Sequence, residues 1–284
     1  MPHIIDGKAV SQKIKSEIKA EVDLLKGGAG RVPGLAVVIA GDDPASKIYV
    51  KNKISGCAEV GFFSVHKEFD GNVSKSTLIE TVSELNADEN IDGILVQLPL
   101  PKGLNPDEIL PFIDVKKDVD GLSAYQQGLL LQGNPDLISC TPNGVIELLK
   151  SANIEIAGKN AVVIGRSNMV GKPMAMLLLR ENATVTICHS KTKDLKNTVS
   201  KADIVVAAIG RARFVTADMI KEGAVVIDVG MNRVDGKLCG DVDYENVKEK
   251  AAAITPVPGG VGPMTITMLL KNTLESFKKK NNLL

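Results

Sequence analysis

The predicted helix 45–60 carries a tyrosine and a lysine that lie one turn apart. Tyr49 and Lys53 are spaced i and i+4, and Gly56 follows at i+7, so the three line one face of the helix. A lysine beside apolar side chains loses its proton more readily than one in water, and can then act as an acid or base near neutral pH. A tyrosine and a lysine on a solvated helix face show the same spacing, so the pattern alone leaves both interpretations open.

Polar side chains that could act with this lysine follow a predicted strand and a predicted turn. Gln97 lies at the end of the strand 93–98, and the carboxyl ends of strands form the ligand crevice of open α/β sheets. We therefore expect Gln97 to point into a crevice. Asp118 and Asp120 lie in the loop 117–121, where either carboxylate could equally cap a turn.

The segment 258–263, Pro-Gly-Gly-Val-Gly-Pro, is poor in side chains. Its glycines and prolines exclude a regular helix or a central strand, so we expect a stiff loop. Such a loop lets another molecule come close to the backbone. An ordinary tight turn is the alternative interpretation of this cluster by itself.

A second glycine-containing turn lies between a predicted strand, 161–164, and an apolar helix. It begins with Gly165, Arg166 and Ser167 and reaches Gly171 at the start of the helix. A strand, a glycine turn and a helix N-terminus together direct backbone N–H groups toward an anion, which indicates a dinucleotide phosphate. The glycine spacing fits neither Gly-x-Gly-x-x-Gly nor the P-loop, and a plain strand-to-helix turn is the alternative.

The end of the next predicted strand, 184–188, indicates which dinucleotide is bound. NAD-selective sites carry an acidic residue about 20 positions beyond the first glycine, where it accepts from the ribose 2′-hydroxyl. Here Ser190 and Lys191 follow the strand, and no carboxylate occurs before Asp194. With Arg166 nearby, hydroxyls and cations suit a 2′-phosphate, which favours NADP. Lys191 could equally be a solvated loop lysine.

Short apolar runs alternate with amphipathic helical stretches along the chain and must position these residues. Strands are predicted at 35–40, 64–69, 93–98, 161–164, 184–188, 204–209 and 224–228, and helices at 9–26, 45–60, 75–85, 143–151, 172–180 and 264–280. In the helix 45–60, the predicted buried stripe is Val50, Ile54, Cys57 and Ala58. Strand–helix alternation indicates parallel sheets covered by helices, and hence an α/β fold.

The pattern predicts two domains. An N-terminal parallel-sheet α/β catalytic domain comprises residues 1–140 with 264–284, and a Rossmann-like doubly wound NADP-binding domain comprises residues 141–263. The last helix has no strand after it, so we expect it to pack back on the first domain. That domain then becomes discontinuous in sequence.

Composition excludes several classes of partner. Lys and Arg together number 34, as do Asp and Glu, which gives no reason to expect binding to nucleic acid or to an anionic membrane surface. The chain has no apolar run of about 18 residues, as a membrane-spanning helix requires. Four scattered cysteines and three histidines show no metal-ligand spacing, so we expect no metal site and a reducing, cytoplasmic environment.

Six segments occur along the chain in the order that a known enzyme family shows. They are Tyr-x-x-x-Lys after Asp-Asp-Pro-Ala-Ser, Gln-Leu-Pro-Leu-Pro, Asp-Val-Asp-Gly, Gly-Arg-Ser-x-x-Val-Gly-x-Pro, His-Ser-Lys-Thr and Pro-Gly-Gly-Val-Gly-Pro-Met-Thr. Over essentially its full length the chain resembles the bifunctional methylenetetrahydrofolate dehydrogenase/methenyltetrahydrofolate cyclohydrolase family. The resemblance implies NADP-dependent oxidation of 5,10-methylenetetrahydrofolate and hydrolysis of the methenyl product to 10-formyltetrahydrofolate. It also implies a homodimer.

The resemblance assigns roles to residues of both predicted domains. Lys53 corresponds to the catalytic lysine, and Gln97 to the glutamine that hydrogen-bonds and tunes it. Tyr49 corresponds to the tyrosine that lines and stacks on the folate, and Asp120 to the aspartate that anchors the pterin ring. The floor under the folate corresponds to Pro258, Gly259 and Gly260. The cofactor-binding positions correspond to Gly165, Arg166, Ser167, Ser190 and Met231.

The chain departs from the family pattern at two positions. Ser55 stands where many members have a second lysine, and Met169 stands where isoleucine is usual. The serine leaves Lys53 in place but changes the local electrostatics, and hence bears on the pKa of that lysine. An NADP-dependent dehydrogenase of another small polar substrate, similar to shikimate dehydrogenases, and a non-catalytic NADP-sensing protein are the competing hypotheses.

Overall fold

The computed structural model describes residues 2–283, apart from the side chains of residues 28 and 29. Met1 and Leu284, the outer ends of the predicted first domain, therefore lie outside the described residues. The chain divides into two compact units, residues 13–140 with 266–283 and residues 2–12 with 141–265. We call them the first unit and the second unit.

The elements agree with the predicted alternation. The strands are β1 (His3–Ile4), β2 (Gly34–Ala40), β3 (Phe63–Phe69), β4 (Gly93–Val96), β5 (Asn160–Ile164), β6 (Thr184–Cys188), β7 (Ile204–Ala207), β8 (Val225–Asp228), β9 (Asn232–Val234), β10 (Lys237–Cys239) and β11 (Ala253–Ile254). The α-helices are α1 (Gly7–Ala29), α2 (Pro44–Val60), α3 (Lys75–Ala87), α4 (Ala124–Leu131), α5 (Cys140–Ser151), α6 (Gly171–Arg180), α7 (Leu195–Val199), α8 (Tyr244–Val247) and α9 (Val261–Lys280). Short 3-10 turns occur at Pro106–Glu108, Leu110–Phe112 and Ala217–Met219.

The first unit is built on a parallel sheet of three strands in the order β3-β2-β4. The central strand β2 is buried along its whole length, as the apolar run Leu-Ala-Val-Val-Ile-Ala requires of a strand covered on both faces. Val37 of β2 lies opposite His66 of β3 and Leu95 of β4, which fixes the register. Polar residues beyond β4 therefore emerge beside the middle of the sheet.

The last helix packs on the first unit, as predicted. The Nδ2 of Asn272 in α9 donates to the carbonyl oxygens of Val119 and Ile138, each at 2.8 Å. The hydroxyl of Ser276, one turn later, donates to the carbonyl oxygens of Asp92 and Lys116, each at 2.7 Å. Buried amide and hydroxyl groups thus connect the helix to the backbone just before β4 and to the loops after it.

The second unit is a six-stranded parallel sheet in the order β1-β11-β8-β7-β5-β6, with a separate β9-β10 hairpin. The chain passes from β5 to β6 on one side and then returns to β7 on the other, so the order reverses between β5 and β7. In doubly wound sheets this reversal point is where dinucleotides bind. The Rossmann-like doubly wound prediction is confirmed for this sheet.

The amino-terminal residues belong to a different unit from the predicted one. Strand β1 pairs in parallel with β11, with His3 opposite Ala253 and Ile4 opposite Ile254. The first twelve residues therefore join the second unit. A two-residue strand has no periodicity of its own, and only its pairing with a distant strand identifies it.

The start of α9 corrects a second prediction. The segment 258–263 was expected to be a loop throughout, yet Val261, Gly262 and Pro263 form the first turn of α9. The N–H groups of a first helical turn have no partner within the helix, so a proline there removes no hydrogen bond. Within this segment, only residues 258–260 belong to the loop.

Candidate active site and dinucleotide-binding turn

Helix α2 has a defined beginning and end. The Oδ2 of Asp43 accepts from the backbone N–H of Ser46 at 2.7 Å, and Pro44 follows at the first helical position. The helix ends at Gly61, whose φ of 80° is in the left-handed region that glycine adopts readily. The buried residues between these ends are Ser46, Val50, Lys53, Gly56, Cys57 and Val60.

Lys53 belongs to this buried face, with only 7% of its surface exposed. The predicted stripe is correct for Val50 and Cys57 and wrong for the other two positions, because Ile54 is half-buried and Ala58 is exposed. The helix is rotated so that Gly56 faces α9. A Cβ atom at Gly56 would lie 3.3 Å from side chains of that helix. The solvated interpretation of Lys53 is therefore excluded.

Gln97 is the hydrogen-bond partner of Lys53. The Nζ of Lys53 donates to Oε1 of Gln97 at 2.9 Å. The Nε2 of Gln97 in turn donates to the carbonyl oxygen of Leu98 at 2.6 Å, which turns the amide oxygen toward the lysine. Because an amide oxygen accepts from both an ammonium group and a neutral amine, this contact positions Lys53 without fixing its charge.

The lysine, an aspartate and a cysteine influence one another's protonation. Burial lowers the pKa of Lys53, and the negative charge of Asp120 opposes that shift, as does Cys140. Burial raises the pKa of Asp120, and the positive charge of Lys53 opposes that shift. Burial also raises the pKa of the Tyr49 phenol, so this side chain stays protonated at neutral pH. A lysine with a lowered pKa can exchange a proton near neutrality.

The two aspartates of the loop 117–121 are bound differently. The carboxylate of Asp118 accepts from the backbone N–H groups of Gly121, Leu122 and Ser123, at 3.1, 3.3 and 2.8 Å. It therefore caps the turn. Asp120 instead has side-chain neighbours, with the charge of Lys53 close to it and the side chain of Cys140 beside it. Of the two, Asp120 is the one available for recognition of a ligand.

Two residues near Asp120 were not singled out from the sequence. The thiol of Cys140 donates to the carbonyl oxygen of Val119 at 3.3 Å, and Asn272 reaches Sγ of Cys140 at 3.7 Å. Both hold the backbone next to Asp120. A polar residue on the apolar face of the last helix was an available signal for Asn272, whereas the sequence carried no signal for Cys140.

The Pro-Gly-Gly loop lies in the second unit. Gly259 has a φ of 108°, and its carbonyl oxygen accepts from the backbone N–H of Lys8 at 3.1 Å. A Cβ atom at Gly7 would lie 1.8 Å from the carbonyl oxygen of Gly260. Close packing of this loop against the start of α1 therefore requires glycine at position 7. Pro258 is exposed, whereas both glycines that follow it are buried.

The turn between β5 and α6 lies at the reversal point of the second unit's sheet. Gly165 has a φ of 131°, and a Cβ atom there would lie 2.2 Å from the carbonyl oxygen of Ala208, which follows β7. The hydroxyl of Ser167 accepts from the backbone N–H groups of Val170 and Gly171, at 3.1 and 3.3 Å. This hydroxyl shapes the turn at the N-terminus of α6, while Arg166 and Ser167 are themselves exposed.

The loop after β6 is a tight turn beside it. The backbone N–H of His189 donates to Oγ1 of Thr192 at 2.8 Å, and the N–H of Lys191 donates to Nδ1 of His189 at 3.1 Å. Ser190 and Lys191 are exposed at its tip. Since β5 and β6 are adjacent and parallel, this tip emerges at the same sheet edge as Arg166. Helix N–H groups, hydroxyls and cations are a donor set that fits a dinucleotide phosphate.

Met231 follows β8 at the same edge and is 43% exposed. The predicted site residues thus fall into two groups, one in each unit. Tyr49, Lys53, Gln97 and Asp120 lie in the first unit, and Gly165, Arg166, Ser167, Ser190, Met231, Pro258, Gly259 and Gly260 lie in the second.

Among the described residues, no group of three His, Cys, Asp or Glu side chains is arranged to hold a metal ion. None of the described helices is long and apolar enough to span a bilayer.

A doubly wound sheet with a glycine turn at its reversal point defines a dinucleotide-binding α/β protein. A buried lysine beside a glutamine and an aspartate adds acid–base chemistry. Family comparison identifies the particular group. The catalytic-domain model of tetrahydrofolate dehydrogenase/cyclohydrolase matches residues 5–120, and the NAD(P)-binding-domain model matches residues 139–281. The chain belongs to the tetrahydrofolate dehydrogenase/cyclohydrolase family.

Individual members of the family are similar to this chain over essentially its full length. The chain is 55% identical over 281 residues to the bifunctional protein FolD of Dechloromonas aromatica, covering 99% of each chain. A crystal structure of the FolD methylenetetrahydrofolate dehydrogenase/cyclohydrolase from Campylobacter jejuni is 47% identical, with a TM-score of 0.96 and coverage of 99% and 100%. The Trypanosoma brucei FolD structure, complexed with NADP cofactor and inhibitor, is 42% identical, with a TM-score of 0.95 and 98% coverage of each chain. These matches favour the folate enzyme over the shikimate-dehydrogenase-like alternative.

Proposed function

We propose that the chain oxidises 5,10-methylenetetrahydrofolate with NADP and then hydrolyses the methenyl product to 10-formyltetrahydrofolate. Both reactions belong to one-carbon folate metabolism. The observation that supports the chemistry is the buried amine of Lys53. It is hydrogen-bonded to Gln97, and the negative charge of Asp120 counteracts part of the lowering of its pKa by burial. Membership of the tetrahydrofolate dehydrogenase/cyclohydrolase family supplies the substrate.

The first reaction is mainly a positioning task. NADP, when bound, accepts the hydride from the methylene carbon. What the chain contributes is orientation: Tyr49 stacks on the folate, and Asp120 accepts hydrogen bonds from the pterin ring. Holding two reactants in line is a large part of the catalysis of such a transfer. Loss of a hydride leaves the one-carbon bridge as a methenyl cation, which is electrophilic.

The second reaction needs a group that moves protons. Water adds to the methenyl carbon and loses one proton. The bond from that carbon to N5 then breaks as N5 gains a proton, and the hydroxyl proton of the adduct leaves to solvent as the formyl C=O forms, so that one proton is released overall. We assign the first proton removal and the protonation of N5 to Lys53, whose lowered pKa lets a neutral amine take the proton from water and return it to N5. The oxygen of Gln97 orients the amine in both of its charge states.

The remaining predicted residues bind the two ligands. Pro258, Gly259 and Gly260 provide a surface for the folate, supported by the exposure of the proline ring. Gly165, Arg166 and Ser167 with Ser190 bind the phosphates of NADP, and Met231 contacts its nicotinamide end. Support comes from the exposed Arg166 and Ser190 at one sheet edge, where hydroxyls and a cation suit a 2′-phosphate. The first unit is then the folate-binding catalytic domain and the second the NADP-binding domain.

We also propose that the protein is a cytoplasmic homodimer. The cysteines Cys57, Cys140, Cys188 and Cys239 of the described chain are free thiols, which suits a reducing compartment. Strand β6 is an edge of its sheet and exposes Ile187, and an exposed edge strand invites pairing with a second copy. Sedimentation equilibrium at micromolar concentration should give twice the chain mass. A monomer there would contradict the dimer.

The function is tested with purified protein and methylenetetrahydrofolate, supplied with either NADP or NAD. Reduced nicotinamide, the methenyl product and the formyl product are followed separately. We expect both products with NADP. Absence of nicotinamide reduction with this substrate would contradict the oxidation, and reduction without formyl product would contradict the hydrolysis.

A further inference from the structure

Two buried aspartates in the second unit have no role in the chemistry above. Asp228, the last residue of β8, is 3% exposed, and Asp241, which follows the β9-β10 hairpin, is fully buried. Buried carboxylates are costly unless hydrogen bonds serve them, so their partners indicate what they are for.

Asp241 connects three segments near the carboxyl edge of the sheet. Its Oδ2 accepts from the backbone N–H groups of Ile209 and Gly210, at 2.7 and 3.0 Å. Its Oδ1 accepts from the backbone N–H of Arg211 at 2.8 Å and from Nδ2 of Asn232 at 2.9 Å. The carboxylate thus holds the loop after β7 and the start of β9 in one arrangement.

Asp228 holds Asp241 in turn. Its Oδ1 accepts from the backbone N–H groups of Gly230 and Asp241, each at 2.9 Å, and its Oδ2 accepts from that of Val242 at 2.9 Å. Burial raises the pKa of Asp228 to about 6, a measure of what this placement costs. The two carboxylates leave no room beside them, since a Cβ atom at Gly240 would lie 1.8 Å from Oδ2 of Asp228.

The segments that this pair holds are those expected to receive a dinucleotide. The loops after β7 and β8 lie at the carboxyl edge of a doubly wound sheet, where such ligands bind. Met231 lies between Gly230, which donates to Asp228, and Asn232, which donates to Asp241. The pair therefore holds the backbone of Gly230 on one side of Met231 and the side chain of Asn232 on the other.

We propose that Asp241 is a positioning residue for the nicotinamide end of NADP, with Asp228 holding Asp241 in place. The pair fixes the backbone of residues 209–211 and of Gly230, together with the side chain of Asn232, before the cofactor arrives. The 2′-phosphate of the adenosine end, assigned to Arg166 and Ser190, lies at the ends of β5 and β6. The proposal rests on the assignment of Met231 to the nicotinamide end.

The test compares two ligands by calorimetry on the full chain. NADP reaches both ends of the site, whereas adenosine 2′,5′-bisphosphate has no nicotinamide. In Asp241→Asn an amide N–H₂ replaces one acceptor oxygen and faces N–H donors. We expect the dissociation constant of NADP to rise at least about tenfold, since buried donors lose their acceptor. The dissociation constant of adenosine 2′,5′-bisphosphate should stay within about twofold.

Methenyl hydrolysis serves as an internal control because it consumes no NADP. It should keep the wild-type rate in Asp241→Asn, which separates local repositioning from damage to the whole chain. Asp203→Asn is the matched variant. Asp203 accepts from the backbone N–H of Asn160 at 2.9 Å at the opposite edge of the same sheet, and its substitution should change neither dissociation constant.

Asn232→Ala removes only one donor to Asp241, and it decides the question if Asp241→Asn does not fold. It should weaken NADP binding selectively and by a smaller factor. Equal weakening of both ligands, or no weakening of NADP, would overturn the proposal. Failure of the wild-type protein to bind NADP would instead contradict the proposed function, so the two failures are distinguishable.

Discussion

The two units use carboxylates in opposite ways. In the first unit, Asp120 interacts with the side chains of Lys53 and Cys140, and each charge shifts the pKa of its neighbours. In the second unit, Asp228 and Asp241 accept mainly from backbone N–H groups and hold loops in place. A carboxylate whose acceptor positions are filled by backbone N–H groups stabilises the local fold. A carboxylate that faces another side chain can still accept hydrogen bonds from a substrate. Asp118 and Asp120 repeat this contrast two residues apart.

The largest expected effect is the loss of methenyl hydrolysis when Lys53, the proposed proton carrier of the first unit, is replaced. Lys53→Met keeps the length and loses the proton carrier, so methenyl hydrolysis should fall by about 10²–10⁴-fold. Part of the dehydrogenase activity should survive, because hydride transfer needs positioning more than a base. Stopped-flow decay of the methenyl absorbance measures the loss.

The control is Lys51→Met, which alters an exposed lysine on the same helix and should leave the rate unchanged. Near-wild-type hydrolysis by a folded Lys53→Met protein would remove this lysine from the mechanism. The proposal that the first unit supplies the reactive side chain would then be wrong.

Asp120→Asn should produce the next largest change. If Asp120 anchors the substrate, loss of its charge removes a charge-assisted hydrogen bond worth about 1.5–3 kcal/mol. Both activities should then fall together at limiting folate, by about 10- to 100-fold, while the NADP dissociation constant stays near the wild-type value. Asp114→Asn, an exposed change in the same region, is the control. A large loss of NADP affinity in Asp120→Asn would show that this residue maintains the folded structure and does not act only in folate binding.

Arg166→Ala sharpens the assignment of the second unit. Wild-type protein should use NADP at least about tenfold more efficiently than NAD, because a charged donor to the 2′-phosphate contributes about 1.5–3 kcal/mol. The variant should lose most of that preference through a higher KM for NADP. Arg180→Ala, at the other end of α6, should retain it. Equal efficiency of the wild-type protein with both cofactors would refute the assignment.

The smallest effect is a change in pH dependence. The negative charge of Asp120 stabilises the ammonium form of Lys53 and so raises the pKa of that amine against the effect of burial. Asp120→Asn should therefore lower the pKa of Lys53. Because hydrolysis needs the neutral amine, the ascending limb of its pH profile should move to lower pH. A shift to higher pH, or none, would show that the two charges are not coupled.

Sequence periodicity was sufficient for most elements, because the strands and helices of a parallel α/β fold carry long apolar patterns. It did not predict the two-residue strands β1 and β11, the helices α4, α7 and α8, or the β9-β10 hairpin. There, Asp235-Gly236 between two short strands was an available turn signal. Proline and glycine at 262–263 suggested a loop, although a first helical turn tolerates both.

The candidate site was partly predictable for the same reason. Helical spacing brought Tyr49 and Lys53 to one face, and the strand end located Gln97. Burial of Lys53, however, depends on how α2 is rotated against α9, and local spacing does not reveal that contact. The Asp228–Asp241 pair links positions 13 residues apart through backbone donors, which leaves no pattern of residue types in the sequence.

The most direct test of the two-reaction account follows both products in one assay from methylenetetrahydrofolate and NADP. For wild-type protein, formyl product should match reduced nicotinamide mole for mole once the methenyl intermediate has decayed. For Lys53→Met, methenyl product should instead accumulate in step with reduced nicotinamide, beyond its uncatalysed hydrolysis. Formyl product appearing at the wild-type rate in that variant would contradict the account, because hydrolysis would then proceed without the buried lysine.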